Sequence, residues 1–418
     1  MICVAQAQAI VRSQCAPLPC ETLPLQLALD RVLAVDLFSP VHLPPFDNSA
    51  MDGFALRSGG QELAAGAQFL VCGEQAAGDG VSRAQGEGAW EIMTGARLPQ
   101  GLDAVVPVEQ VDVLARNAAG RASRIRLSAA VTPGAHIRRA GEDIALGSIA
   151  MRAGTRIGAQ HVLLLAGLGI AELPLMQRPR VALLCTGREL VDDPALPLQP
   201  GQIRNSNAPF LSARLRAAGA ELVHIETVPD DADAFTLALQ RALGAGAGIV
   251  LSTGAVSMGR YDFVPPTLQS LGAAILFHTL RMRPGKPLLC ARLTAGALYF
   301  GLPGNPVSAA VGLRFFVEQA LRAQLGLAPE QAWRLPLAHA VDKKAGCQHH
   351  QKARWQLSAA GALSVALLKG QESFKTQPLL HANVWAVLPE EAEQMRAGTM
   401  IDVFALGHEQ CGMLGDPP

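Results

Sequence analysis

Charge of either sign is scarce in this chain. Only 17% of its 418 residues are charged, and 35 Lys plus Arg balance 35 Asp plus Glu to a net charge of zero. Such a balance exerts no long-range pull toward nucleic acid or an anionic membrane, although a local basic patch is left open. No C-x-x-C pair occurs among the eight cysteines, which are scattered at positions 3, 15, 20, 72, 185, 290, 347 and 411. This excludes metal-cluster spacing and a disulfide framework. The start, Met-Ile-Cys-Val-Ala-Gln-Ala-Gln-Ala-Ile, has no basic region followed by an apolar run, so no signal peptide is read. The most apolar stretch, Val162 to Met176, is too short for a membrane span and contains Glu172 and Pro174. Repeats and low-complexity tracts are missing as well. The expectation is a reduced, cytosolic, soluble protein with no membrane partner.

Half of the residues are hydrophobic, and the length is too great for a single core, so two to four domains are expected. Residues 1–40 read as helical, and Gly154 to Gly169 again as helical, with Ile157, Val162 and Leu165 on one face. Between them lie short Gly-punctuated segments such as Phe69-Leu-Val-Cys and Ala104-Val-Val-Pro-Val, which suggest strands. From about 180 the rhythm changes. Val181-Ala-Leu-Leu-Cys is a continuous apolar run, as in a strand buried on both faces. Helices are predicted at 208–218, 232–243, 263–271 and 306–325, and strands at 221–228, 248–252, near 274–281 and at 297–301. This alternation predicts a parallel α/β sheet with right-handed crossovers. After Pro329 short strands return, at 353–368, 384–388 and around Val403-Phe404.

The predicted fold class is multidomain α/β plus β. It comprises a discontinuous helical domain (1–45 and 145–172), a β-rich insert (46–144), a three-layer α/β domain (173–328), a small β-barrel-like C-terminal domain (329–406) and a flexible tail (407–418).

The most informative segment is 44–55, Pro-Pro-Phe-Asp-Asn-Ser-Ala-Met-Asp-Gly-Phe-Ala. Asp47, Asn48, Ser49 and Asp52 do not suit a core strand, while Phe46, Met51 and Phe54 do not suit a plain solvent loop. The mixture suggests an ordered loop holding polar groups against a neighbour. In open α/β sheets ligands bind beyond the carboxyl ends of the strands, and four such exits carry suggestive residues. They are Thr186-Gly187-Arg188-Glu189, Pro229-Asp230-Asp231, Ser252-Thr-Gly-Ala-Val-Ser-Met-Gly-Arg-Tyr-Asp262 and Gly301-Leu-Pro-Gly-Asn-Pro-Val-Ser308. The third offers the hydroxyls of Ser252, Thr253 and Ser257, with Gly254 and Gly259 letting backbone amides approach an oxyanion. The fourth sets Asn305 and Pro306 at a helix start, where free amides favour phosphate. Arg283-Pro-Gly-Lys286-Pro places two cations on a stiff turn suited to a tetrahedral oxyanion. Glu189, Asp230 and Asp262 are carboxylates that a hard cation such as Mg²⁺ would reconcile with bound phosphates. Taken singly, each glycine cluster also reads as a tight turn, and Asp230 or Asp231 as a helix cap. Together they predict one shared anion pocket.

These motifs, in order, resemble the molybdopterin molybdenumtransferase family, which includes MoeA and the gephyrin E domain. The likeness runs from about residue 20 to 405. It is carried by Phe46-Asp-Asn-Ser-Ala-Met-Asp-Gly-Phe, Ile92-Met-Thr-Gly-Ala, Asp103-Ala-Val-Val-Pro and Ile137-Arg-Arg-Ala-Gly-Glu-Asp143. Thr186-Gly-Arg-Glu-Leu, Arg283-Pro-Gly-Lys-Pro and Gly301-Leu-Pro-Gly-Asn-Pro-Val-Ser complete the series. The resemblance implies a homodimer of four-domain chains, with the site between the α/β domain and the insert domain of the other subunit. It implies that molybdate enters the dithiolene of adenylated molybdopterin and AMP is released with Mg²⁺ assisting. By the same resemblance Asp52, Asp143, Glu189, Asp230 and Asp262 are functional acids, with Glu189 and Asp262 the Mg²⁺ candidates. Lys286 and Arg283 match a molybdate-facing pair, and Ser308, Arg354 and Ser373 further site positions. Arg188, Ala255 and His349 depart from the family pattern. The alternatives kept open are a molybdopterin adenylyltransferase and a binding scaffold on the same fold.

Overall fold

The computed structural model describes residues 1–256 and 262–410. By its internal contacts the chain divides into two units, Thr22–Leu29 with Val35–Leu173, and Met1–Glu21 with Asp30–Ala34 and Pro174–Pro418.

The N-terminal expectation of helix over 1–40 holds only for α1 (Val4–Ser13); a strand at Cys20–Pro24 and a short 3₁₀ turn at Leu25–Leu27 follow. Pro17, Pro19 and Pro24 explain the difference, because each drives the preceding residue out of the helical region and removes a backbone donor. The first unit is built on a six-stranded sheet. Its strands are β1 (Gly53–Leu56), β2 (Gln68–Gln75), β3 (Ala89–Ile92), β4 (Ala104–Pro107), β5 (Val111–Arg116) and β6 (Ala122–Leu127), in the order β4-β1-β3-β2-β6-β5. Phe54, Leu56, Val106, Ile125 and Leu127 fill its interior. A short helix, α2 (Ala159–Gly167), completes the unit.

The second unit contains the α/β sheet. Its elements in chain order are β7 (Arg180–Thr186), α3 (Asn207–Ala217), β8 (Glu221–Val228), α4 (Ala232–Gly244), β9 (Ile249–Thr253), α5 (Val264–Ser270), β10 (Ala274–Phe277), β11 (Leu289–Arg292), β12 (Leu298–Leu302) and α6 (Pro306–Gly312). Strand order is β8-β7-β9-β12-β11-β10. The four strands β8, β7, β9 and β12 are parallel, as the apolar runs predict, whereas β11 and β10 are antiparallel. The all-parallel expectation is therefore corrected at one edge, where the run Leu288-Leu-Cys-Ala was not read as a strand.

Alternation along each strand sends side chains to two separate cores. Val181, Leu183 and Cys185 of β7 join Ile249, Leu251, Phe300 and Leu302 beneath α1, α3 and α6. Ala182 and Leu184 join Val250 and Tyr299 beneath α4 and α5. That is why these strands lack the polar alternation of a half-exposed sheet. The helix predicted over 306–325 is interrupted: α6 runs into a π-helical turn at Leu313–Val317 before α7 (Glu318–Gln324). A further sheet holds β13 (Trp333–Pro336), β14 (Gln348–Leu357), β15 (Leu363–Leu367), β16 (Val384–Leu388) and β17 (Met400–Ala405) in antiparallel pairs, with Met282–Arg283 added in parallel beside β14. Gly407 and His408, read as the start of a loose tail, are buried, and the His408 amide donates to Glu318 at 2.9 Å.

Candidate active site

The carboxyl ends of β7, β8, β9 and β12 open onto one cleft of about 680 Å³. Thr186, Glu189, Asp230, Thr253, Gly254, Asp262 and Asn305 all line it. The structure thus brings together residues from all four strand exits, which lie up to 119 positions apart in sequence (305 − 186).

Its floor is fixed by backbone geometry. Gly254 adopts φ +90°, and a Cβ there would lie 2.7 Å from both the carbonyl oxygen and the Oγ1 of Thr186. Only glycine lets the β9 and β7 exits approach this closely. The Gly254 amide donates to Leu302 O at 3.0 Å, and the Thr186 hydroxyl donates to Thr253 O at 3.0 Å. Three strand ends are therefore cross-tied at the floor. The Gly187 amide donates to Val228 O at 3.2 Å, which ties in the fourth.

The acids separate by role. Asp231 caps α4, accepting from the Ala234 amide at 2.8 Å. Asp230 is left to line the cleft, where it accepts from the Arg188 amide at 3.3 Å. The backbone of Glu189 is set by Ile203, whose amide donates to its carbonyl at 2.8 Å.

Other predicted site residues lie away from the cleft wall. Ser252 is wholly buried and takes a hydrogen bond from the Tyr299 hydroxyl, itself pushed up from its ordinary pKa by burial. Ser308 is buried inside α6. Arg283 and Lys286 are exposed on the turn leading to Pro287, the residue of that turn that lines the cleft. Ser373 contributes its carbonyl, which accepts from the Val307 amide at 3.0 Å. One donor of the α6 start, expected to be free for phosphate, is therefore occupied by the chain itself. Arg354 is exposed on β14. Ser257 lies outside the described residues. His349 on β14 pairs in register with Arg283. Burial, Lys343 and Arg283 together hold its pKa down at about 4, so the imidazole is neutral at physiological pH.

Asp52 and Asp143 belong to the other unit. Its segment 137–138 pairs with 48–49, and Leu43 bridges to Ile144. Asp47 accepts from the Ala140 amide at 2.8 Å and from Arg139 at 2.6 Å, pinning the two segments together. Asp52 is exposed and accepts from the amide and hydroxyl of Thr94 at 2.7 and 2.9 Å; these bonds hold its carboxyl below the usual range. The glycine after it is obligatory, since a Cβ on Gly53 would sit 1.9 Å from Val106 O.

Sequence reading missed three residues. Lys352 is fully buried and donates to the carbonyls of Gly370, Glu372 and Lys375 at 2.7, 3.4 and 2.9 Å. Phe374, on the loop so pegged, lines the cleft, as does Ile203. No local signal marked any of the three: Lys352 stands in the polar run His-His-Gln-Lys-Ala-Arg, which gives no hint of its burial.

Comparison with known proteins identifies the family. Residues 2–169 match the model of the MoeA N-terminal region (domain I and II), and residues 182–323 that of a probable molybdopterin binding domain. A molybdopterin molybdenumtransferase of Synechococcus elongatus is 39% identical, over 93% of this chain and 95% of its own. The chain belongs to the molybdopterin molybdenumtransferase family. A Haemophilus influenzae relative of that name is 33% identical over 98% of this chain and 99% of its own. Among solved structures, the molybdopterin biosynthesis MoeA protein of Pyrococcus horikoshii OT3 superposes with a TM-score of 0.81 at 26% identity, covering 97% of this chain and 100% of that one. Among the described residues, no helix is long and apolar enough to cross a membrane.

Proposed function

We propose that the chain is a molybdenum insertase, which transfers molybdate into adenylated molybdopterin and releases AMP. The observation that carries this reading is the cleft in which four strand exits converge with Glu189, Asp230 and Asp262 around a glycine floor. A relative matching over 93% of the chain, and a family model matching the 2–169 region, favour it over the adenylyltransferase alternative.

Molybdate is a dianion, and the exposed pair Arg283 and Lys286 at the edge of the Pro287 turn supplies positive charge to attract it. Opening a phosphoanhydride calls mainly for positioning and charge stabilisation, so a covalent nucleophile is not required. The donors at the cleft are all oxygens, which suits a hard cation. Glu189 and Asp262 would hold Mg²⁺, which when bound would neutralise charge building on the pyrophosphate. Asn305, which lines the cleft at the start of α6, orients the phosphate end. A cytoplasmic homodimer is part of the same reading, with Asp52 and Asp143 serving the site of the partner subunit. Light scattering that returned a monomer mass would remove that part.

The deciding experiment is AMP release from adenylated molybdopterin with Mg²⁺, with and without molybdate and without ATP. Release that depends on molybdate, and that falls at least about a hundredfold in Glu189→Gln and Asp262→Ala, is expected. ATP consumption in place of AMP release would assign the adenylyltransferase. Tight binding with no turnover would assign a scaffold.

A further inference from the structure

The cleft floor is polar, yet its lining includes two large apolar side chains left open to solvent, Phe374 at 65% and Ile203 at 54% exposure. Exposed apolar side chains at the mouth of a polar ligand cleft have a recognisable use: they offer a flat surface to a ring.

Both residues are held from behind. Phe374 sits on the 370–375 loop, which folds over the buried Lys352 ammonium through three backbone carbonyls. Gln371 ties the same loop to β14, donating to Lys352 O at 2.8 Å and accepting from the Lys352 amide at 3.0 Å. The Lys375 ammonium stands 5.9 Å from the Phe374 ring centroid and is anchored by Glu372 at 2.8 Å. Ile203 is held by its bond to the Glu189 carbonyl, so the strand pair that positions a cleft carboxylate also positions an apolar lip. An aromatic ring this exposed, on a loop fixed from behind by hydrogen bonds to β14, is already in place before a ligand arrives.

We infer that Phe374, supported by Ile203, is the stacking platform for the planar nitrogen heterocycle of the substrate, and so determines specificity at the rim. The phosphate end would then be directed to the floor at Gly254 and Asn305. This rests on the reading of the cleft as the site of an adenylated pterin, and either of that substrate's two rings has the required chemistry.

The test is calorimetric titration of wild type, Phe374→Leu, Phe374→Trp and Ile203→Ala with AMP, ribose 5-phosphate and free pterin. Leucine keeps the apolar area but removes the π face. It should weaken AMP, pterin or both by about tenfold, while ribose 5-phosphate shifts less than about twofold. Tryptophan should restore wild-type binding, and Ile203→Ala should lose a smaller factor. The ring compound that responds identifies the ring held at the rim. The proposal is overturned if Phe374→Leu binds both ring compounds as wild type does. It is equally overturned if Phe374→Leu loses ribose 5-phosphate to the same extent, or if wild type binds none of the three. Ring binding that depends on Phe374 in a protein releasing no AMP would sink the insertase reading and leave the platform standing. Molybdate-dependent AMP release with an indifferent Phe374→Leu would do the reverse.

Discussion

Ala255 adopts φ +50° immediately after Gly254 at +90°, so two successive residues of the β9 exit are left-handed and only one is glycine. A Cβ in that region costs about 1–2 kcal/mol, whereas glycine's extra freedom in the unfolded chain costs about 0.5–1 kcal/mol. The difference predicts that Ala255→Gly stabilises the protein by about 0.5 kcal/mol, read as a higher urea midpoint at unchanged m-value. Gly254→Ala should act in the opposite sense and more strongly, because its Cβ meets the Thr186 backbone carbonyl as well as the Thr186 hydroxyl, and the carbonyl cannot swing away. A loss of about 1–3 kcal/mol is expected in the same titration, together with loss of AMP release. A Gly254→Ala protein with wild-type midpoint and turnover would show that the floor does not depend on this approach.

At the scale of elements, legibility followed burial. Strands β7, β9 and β12 were readable as unbroken apolar runs because both faces are covered, and α3 and α4 because their caps and apolar faces agree. The first forty residues misled because an apolar count was read without the three prolines that break it. The antiparallel edge and the π turn left no local mark, since pairing direction and an extra residue per turn are decided by tertiary contacts. Of the candidate site, the four strand exits were visible as Gly and acid clusters, while the 370–375 loop was marked only at Ser373, by resemblance, because its order comes from Lys352 on another element. Lys352→Met keeps the stem but leaves the part-buried carbonyls of Gly370 and Lys375 without their donor. It should cost about 2–3 kcal/mol of stability and raise hydrogen exchange at residues 370–376 specifically. Exchange there equal to wild type would mean that Gln371 alone holds the loop.

Across the whole molecule a net charge of zero conceals strongly unequal burial. Arg314, Glu318 and Glu330 are buried with His408, and Arg214 bridges Glu318 at 3.0 Å and Glu409 at 2.6 Å. Glu318, His408 and Glu409 group closely enough for a metal, but two guanidiniums already neutralise the carboxylates, so the cluster is an ion-pair network. Burial pushes the Glu318 carboxyl up, and Arg314, His408 and Arg214 more than offset it, holding it at about 2 against an ordinary 4.5. Its contribution is full above pH 4.5 and is lost as pH falls toward 2. His350 acts earlier on the way down. Its ring lies 4.3 Å from that of Phe315 and neither ring nitrogen has a partner among the described residues, so burial, then His349, keeps it neutral to about 3 against an ordinary 6.5. Below pH 6.5 the unfolded chain binds a proton that the folded chain refuses, so stability falls by about 1.4 kcal/mol per pH unit until the folded pKa is reached. His349, held at about 4, adds the same sign over a narrower range. His350→Phe keeps a ring against Phe315 and removes the titration. Unfolding free energies from urea titrations at pH 7 and pH 5, above the range where Glu318 titrates, should therefore differ by about 2 kcal/mol less in the variant than in wild type, most of it below pH 6.5. An unchanged slope would mean that the folded protein protonates His350 without opening its core.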